Sequence, residues 1–76
     1  MNADTIRQLI ETGRPGSRAE VQGADGGHFE AVVVCAAFAG KLPLARHRMV
    51  YATLGEKMGG EIHALQLRTL TTEEAA

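Results

Sequence analysis

Apolar residues near the start of the chain follow a helical period. Ile6, Leu9 and Ile10 recur at positions i, i+3 and i+4, with polar residues between them. Gly13 follows as the type of residue that commonly ends a helix. The pattern therefore predicts a short amphipathic helix that stops at Gly13.

A glycine-rich segment separates two stretches that have the pattern of strands. Residues 19–22 alternate between apolar and polar side chains, and residues 23–27 supply the small and turn-forming residues of a hairpin. Residues 28–35 begin with the same alternation and become apolar on both faces at Val32–Val34. Burial on both faces is typical of a central strand. The sequence thus predicts a hairpin whose second strand lies in the middle of the sheet.

The second half of the chain predicts a helix and a third strand. Gly55 is expected to kink or divide the helix, and Gly59 and Gly60 end it. Residues 61–70 then alternate as a strand. The helix has one apolar stripe, made of Leu44, His47, Tyr51, Leu54 and Met58.

The element order predicts one small α/β (α+β) domain with the order helix, strand, strand, helix, strand. A chain of 76 residues has room for one core, and we expect the domain to cover residues 1–76 with residues 1–3 and 71–76 frayed. A strand, a helical crossover and a further strand of one sheet are normally parallel. His28 and His63, which lie near the starts of two such strands, are then expected at the same end of the sheet.

Composition and charge narrow the classes of function. The net charge is −1, although the segment from Lys41 to Lys57 carries four basic residues against Glu56 alone. A dedicated nucleic-acid-binding domain is expected to have a pI above about 9. Cys35 is the only cysteine, which excludes an intramolecular disulfide. No signal-peptide pattern or membrane-length apolar run is present, so we expect a cytoplasmic protein without a membrane partner.

Two histidines are the candidate metal ligands. If the second and third strands are adjacent, His28 and His63 stand on strands about 4.8 Å apart. Neutral imidazole is a good ligand for iron. Two histidines do not complete a tetrahedral site, so further ligands would have to come from elsewhere. A pair of ordinary turn or surface histidines is the alternative.

Three basic residues form a second candidate site. Lys41, Arg46 and Arg48 precede or lie on the predicted second helix, where they could contact nucleic-acid phosphates or a protein partner. A solvated helix face is the alternative. The sequence contains no Ser-His-Asp order, no HExxH motif and no paired-carboxylate signal, and we do not expect an enzyme.

Four motifs in a fixed order resemble those of one protein family. They are Gly26-Gly27-His28-Phe29, Phe38-Ala39-Gly40-Lys41, Arg46-His47-Arg48-Met49-Val50-Tyr51 and Glu61-Ile62-His63-Ala64-Leu65. With this combination the chain resembles the BolA family over about Val21 to Thr72, and most of all the short bacterial members with a histidine in the hairpin loop. The resemblance implies a three-stranded domain similar to a type II KH domain.

The resemblance also implies a partner and a cofactor. BolA-like proteins pair with monothiol glutaredoxins and share a 2Fe-2S cluster, held by the glutaredoxin cysteine with glutathione and by histidines of the BolA-like chain. On the matching positions these histidines are His63 and His28. No cofactor is then expected in the isolated chain, and a homodimer stays open. The alternative function that the family implies is DNA-binding transcriptional regulation through the helix-turn-helix-like region, here Phe38 to Tyr51.

Overall fold

The computed structural model describes residues 1–23 and 27–76, so residues 24–26 of the predicted hairpin turn lie outside the described residues. The helices and strands are α1 (Ala3–Gly13), β1 (Arg18–Gln22), β2 (His28–Val34), α2 (Pro43–Leu54), β3 (Ala64–Leu70) and α3 (Thr72–Ala75). Short 3-10 turns at Ala36–Phe38 and Gly55–Lys57 precede and follow α2. None of the helices in the described ranges has the length and the apolar run needed to span a bilayer.

The three strands form one mixed sheet in the order β1-β2-β3. β1 pairs antiparallel with β2, with Ala19 opposite Val33. β2 pairs parallel with β3, with His28 opposite Ala64. The predicted α+β fold with β2 as the central strand is confirmed. Because β2 and β3 are parallel, both begin at one end of the sheet, which we call the histidine end after His28 and His63.

The two long helices pack on one face of the sheet and leave the other face open. On β2, Phe29, Ala31 and Val33 are buried while His28 and Glu30 are exposed, as the alternation of a strand requires. Burying a large apolar side chain stabilises a fold by about 1.5–3 kcal/mol. The rest of the buried core consists of Ile6, Ile10, Ala19, Cys35, Phe38, Val50, Leu54 and Ile62.

Helix α2 begins at Pro43 and ends at Leu54. Proline suits the first turn because its missing N–H needs no partner there. Gly55 has a φ of +56° and starts the 3-10 turn, so the predicted division of the helix at Gly55 is confirmed. The predicted apolar stripe is wrong at Leu44 and at Tyr51, which are 63% and 36% exposed. Leu44 lies roughly 120° around the helix from the buried Val50, on a different face.

The C-terminal segment forms a short helix rather than the frayed tail expected over residues 71–76. Thr71 is the N-cap of α3, and its hydroxyl accepts from the N–H of Glu74. The Glu74 carboxylate accepts in turn from the N–H of Thr71, which completes a capping box. At the start of the chain the Asn2 side chain accepts from the N–H of Thr5 and caps α1.

Candidate functional site

The histidine end of the sheet brings the two predicted metal ligands together. His28 is the first residue of β2, and His63 immediately precedes β3, whose first residue Ala64 is opposite His28. The ring centroids lie 6.3 Å apart, with the ring planes tilted by 40°. Both residues are exposed. This histidine pair, His28 and His63, is therefore adjacent and open to an incoming ligand.

Gly27 determines how closely the His63 ring approaches the backbone. Its φ is +91°, a conformation that favours glycine, and its carbonyl oxygen accepts from the N–H groups of His63 (2.7 Å) and Ala64 (2.8 Å). A Cβ atom at residue 27 would lie under 3.0 Å from Cγ and Cδ2 of the His63 ring. The glycine-rich pattern predicts only a turn at Gly27. Its position next to the loop histidine was the available signal for a role in the site.

Backbone hydrogen bonds hold the segment before His63. Ile62 is fully buried, and its N–H donates to the carbonyl of Lys57 at 2.9 Å. The carbonyl of Ile62 accepts from the N–H of Gly59 at 2.8 Å. Ile62 is buried, and both its N–H and its carbonyl make backbone hydrogen bonds. The backbone next to His63 therefore has limited freedom, although the imidazole itself is exposed.

The histidine pair fits part of a metal site. Two imidazoles that bind one tetrahedral ion at about 2.1 Å have ring centroids roughly 5 Å apart, so rotation of the side chains can close the observed 6.3 Å. Two histidines on a single iron are a known arrangement in 2Fe-2S clusters. Within residues 1–23 and 27–76, no group of three or more histidine, cysteine, aspartate and glutamate side chains is placed to hold a metal ion. A complete site at the histidine pair needs ligands besides His28 and His63.

A shallow depression on the open face of the sheet adjoins His28. It has a volume of about 420 Å³ and is lined by Gln22, Glu30 and Gln66 together with His28. A second depression of about 320 Å³ shares these three residues and continues along the same face to Arg68. A polar surface thus leads from the histidine pair along the open face of the sheet.

Two of the predicted basic residues, Lys41 and Arg46, lie towards the other end of the sheet. The Arg46 Nε donates to the carbonyl of Lys41 at 2.9 Å, and its Nη1 makes a longer contact of 3.5 Å with the carbonyl of Thr69. Thr69 is five positions along β3 from Ala64, a distance of about 17 Å. Lys41 and Arg48 are exposed. The structure therefore separates Lys41 and Arg46 from the histidine pair.

Arg46 differs from the other two basic residues because it is paired within the chain. Its Nη1 donates to Oε1 of Glu74 at 2.8 Å, and its side chain is only 13% exposed. The backbone N–H of Thr71, followed by the Arg46 guanidinium, holds the pKa of the Glu74 carboxyl below its usual range. The sequence predicts the same role for Lys41, Arg46 and Arg48, and the structure shows that Arg46 differs from the other two.

Cys35 and His47 lie outside both groups of residues. Cys35 is 3% exposed, and a buried thiol of this kind packs as a small apolar side chain. Its backbone N–H donates to the carbonyl of Leu70 at 3.0 Å. His47 is half-buried on α2, with its ring edge-on to Tyr51 at a centroid distance of 6.3 Å.

Known proteins match most of this chain. The family model of BolA-like proteins matches residues 10–74. A curated relative from Vibrio cholerae, named DNA-binding transcriptional regulator BolA, is 49% identical over 47 residues, which are 62% of this chain and 44% of that protein. The matched segment thus spans less than half the length of that relative.

Solved structures share this fold over nearly the whole chain. The structure of a BolA protein homologue from Coxiella burnetii has a TM-score of 0.89 and 49% identity, and the match covers 99% of this chain and 96% of that chain. The solution structure of the XC975 protein has a TM-score of 0.67 and 70% identity, with coverage of 97% and 92%. The family match and these structural likenesses agree, and the chain belongs to the BolA family.

Proposed function

We propose that this BolA-like chain is an adaptor that pairs with a monothiol glutaredoxin and shares a 2Fe-2S cluster with it, in iron-sulfur cluster trafficking or iron regulation. The observation that carries the proposal is the exposed histidine pair, with ring centroids 6.3 Å apart. Family membership supports it, because such a partnership is what the resemblance implies. The chain contributes ligands and a docking surface, with no catalytic turnover of its own.

His63 is the principal ligand in this proposal and His28 is the second. Each binds through an unprotonated ring nitrogen, because a protonated imidazole has no free lone pair. The bonds to the Gly27 carbonyl and the buried Ile62 hold the His63 backbone in place before a partner arrives. The glutaredoxin cysteine and glutathione supply the remaining ligands. The cluster is the shared cargo, which can take up an electron or pass to another protein.

The partner has to cover the histidine end of the sheet. The adjoining depression offers it the amides of Gln22 and Gln66 and the carboxylate of Glu30. Lys41 and Arg48 stay predicted partner-facing charges, and both are exposed. Exposed charges outside the ligand set act on the rate of encounter rather than on ligand geometry. We expect their removal to slow association more than it changes the spectrum of the cluster.

Reconstitution with a monothiol glutaredoxin tests the ligand assignment. Visible absorption and circular dichroism are compared for the wild type, His63→Ala, His28→Ala and the control His47→Ala, which removes the histidine outside the pair. We expect His63→Ala to abolish the mixed-ligand spectrum. His28→Ala should leave a labile cluster, because solvent or another residue can replace this ligand, and His47→Ala should retain the wild-type spectrum.

Two results would count against the proposal at different levels. An unchanged spectrum in both single variants and in the His28→Ala, His63→Ala double variant contradicts the ligand assignment. Failure of the chain to associate with any monothiol glutaredoxin contradicts the adaptor function itself.

DNA binding through the region Phe38 to Tyr51 is the second candidate function. The observations that favour it are the exposed positions of Lys41, just before α2, and of Arg48, on α2, and the name of the Vibrio cholerae relative. With two or three phosphate contacts, the affinity for duplex DNA should fall roughly tenfold to fortyfold between 50 and 200 mM salt. Replacing Lys41 and Arg48 by alanine should remove this binding. Tight binding that survives the replacement contradicts the assignment.

A further inference from the structure

The outer edges of β1 and β3 are closed to different degrees. Both strands lie at the margins of the sheet, because β2 is between them. On β1, the N–H of Ala19 donates to Oε2 of Glu11 at 2.9 Å, and α1 packs against the strand. Proteins commonly block edge strands in such ways, because an open edge pairs with other chains. The edge of β1 is therefore closed by the chain itself.

The backbone groups of β3 point alternately towards β2 and away from the sheet. Ala64 and Leu70, the first and last residues of β3, both make backbone hydrogen bonds to residues that directly flank β2. In a parallel ladder the groups of every second residue face the neighbouring strand, and those of the residues between them face outward. The residues with outward backbone groups are Leu65, Leu67 and Thr69.

Two of these residues have unpaired backbone groups. The carbonyl of Thr69 is contacted by Nη1 of Arg46 at 3.5 Å. Within residues 1–23 and 27–76, the outward N–H and C=O groups of Leu65 and Leu67 have no hydrogen-bond partner. Both leucine side chains are half-buried against the core. This segment, residues 65–67, is called the β3 edge below, and it has the open hydrogen-bonding groups to which a further strand can be added.

The sequence of β3 is complementary to itself in one antiparallel register. In the register centred on Gln66, Leu65 lies opposite Leu67 of the second copy and Leu67 opposite its Leu65. The two pairs exchange four N–H···O=C bonds through the unpaired groups alone. Arg68 is the only charged residue of β3, and it lies opposite Ala64 of the second copy. Like charges, which destabilise a strand pair when directly opposite, do not meet.

We propose that the β3 edge is the interface of a homodimer in which two copies of the chain form one six-stranded sheet. The interface is isologous, so each copy donates and accepts through the same residues, Leu65 and Leu67. Because the two β3 strands run antiparallel, the dimer has a histidine end at each extremity of the joined strands. The proposal goes beyond cluster sharing and does not depend on it.

A cysteine at residue 66 tests the interface and its register. In the proposed dimer Gln66 and its counterpart form a non-hydrogen-bonded pair with Cα atoms about 4.5 Å apart, within reach of a disulfide. Gln22→Cys is the control on β1, since Gln22 lines the same depression of the open face as Gln66. Arg68→Cys is the control on β3, because four residues, about 13 Å along the strand, separate it from its counterpart. All three positions are exposed, whereas the native Cys35 is buried.

The variants are equilibrated in a glutathione redox buffer and separated on a non-reducing gel. Gln66→Cys should give about tenfold more disulfide-linked dimer than either control, because association raises the effective concentration of the two thiols. The backbone amide spectrum of each reduced variant checks that the fold is kept. A yield in either control that equals the yield of Gln66→Cys overturns the proposal.

Amide hydrogen exchange in the unaltered chain tests the β3 edge without a cross-link. Sedimentation at the same protein concentrations gives the fraction of dimer. The N–H groups of Leu65 and Leu67 should become protected as this fraction rises, because the second copy accepts from them. The N–H of Ala19 should keep the same protection throughout, since its acceptor Glu11 belongs to the same chain.

Three results of these measurements overturn the proposal. The first is sedimentation as a monomer at every concentration. The second is equal exchange of the Leu65 and Leu67 amides in monomer and dimer, which would place a dimer interface elsewhere. The third is protection of these amides only after a monothiol glutaredoxin is added, which would assign the β3 edge to that partner instead of a second copy.

Discussion

The two ends of the sheet present their polar side chains in opposite ways. At the histidine end, His28 and His63 are exposed and face each other. Towards the other end, Arg46 is only 13% exposed and contacts Lys41, Thr69 and Glu74. The first arrangement leaves ligand atoms available to another molecule, while the second satisfies a charge within the chain. Counting basic residues in the sequence therefore overstates the positive charge that a partner meets.

The largest expected loss of stability comes from replacing Gly27 by alanine, and Gly40→Ala is the matched comparison. Both glycines have a positive φ, +91° and +77°, so alanine costs about 1–2 kcal/mol in backbone strain at either position. At Gly27 the new methyl group also meets the His63 ring, which adds about 1–3 kcal/mol of overpacking. Urea denaturation should show the larger loss of unfolding free energy for Gly27→Ala.

The same two variants should differ in cluster sharing. Gly27→Ala displaces the His63 ring and should lose the mixed-ligand spectrum, whereas Gly40→Ala should keep it. Equal stability losses, or a wild-type spectrum in folded Gly27→Ala, would show that the close approach of Gly27 and His63 does not matter to the site.

Replacing Arg46 or Arg48 by alanine compares a paired arginine with an exposed one. The expected effect on the free energy of unfolding is intermediate. Arg46→Ala removes charge-assisted hydrogen bonds to the carbonyls of Lys41 and Thr69, and we expect a loss of about 1–3 kcal/mol. Arg48 is exposed, and Arg48→Ala should change the free energy of unfolding by no more than about 0.5 kcal/mol. Thermal or urea unfolding measures both. Similar values for the two variants would remove the distinction drawn between a paired and an exposed arginine.

The smallest expected effect is the pH dependence of the hydrogen bonds that the Glu74 carboxylate makes at the start of α3. The pKa of Glu74 in the fold is held below its ordinary value of 4.5, first by the Thr71 N–H and then by Arg46. A carboxyl whose pKa is lowered by folding stabilises the fold above its ordinary pKa, and this stabilisation is lost as the pH falls through the lowered value. The Thr71 amide shift should therefore titrate below pH 4.5.

Arg46→Ala should raise the midpoint of this titration only in part, because the larger cause, the Thr71 N–H, remains. A wild-type midpoint at or above 4.5 would contradict the contact between Glu74 and its two donors.

The meeting of His28 and His63 could be predicted from the sequence because it follows from local patterns and one topological rule. Alternation identified β2 and β3, helical periodicity identified the crossover, and parallel pairing placed both starts at one end. The site geometry needed more. The positive φ of Gly27 and its closeness to the His63 ring depend on the register between two strands, which no local pattern specifies.

Two features of the structure were not predicted from the sequence: the C-terminal helix and the pairing of Arg46. The physical reasons differ. Thr71 and Glu74 have the spacing of a capping box, a local signal that the lack of apolar periodicity concealed. The contact from Arg46 to Glu74 joins residues 28 positions apart, and only the folded path of α2 and β3 brings them together. Leu44 fits the predicted apolar stripe by its spacing, although the face that α2 buries is set by Val50 and Leu54.

Histidine ligation of a shared cluster can be detected directly by pulsed EPR. The chain is labelled with ¹⁵N-histidine, combined with an unlabelled monothiol glutaredoxin and a 2Fe-2S cluster, and the complex is reduced. We expect hyperfine coupling from ¹⁵N of the chain's histidines, lost in His63→Ala and retained in His47→Ala. A complex that forms with the cluster but shows no histidine ¹⁵N coupling, or the same coupling in His63→Ala, would contradict the assignment of His63 as the principal ligand.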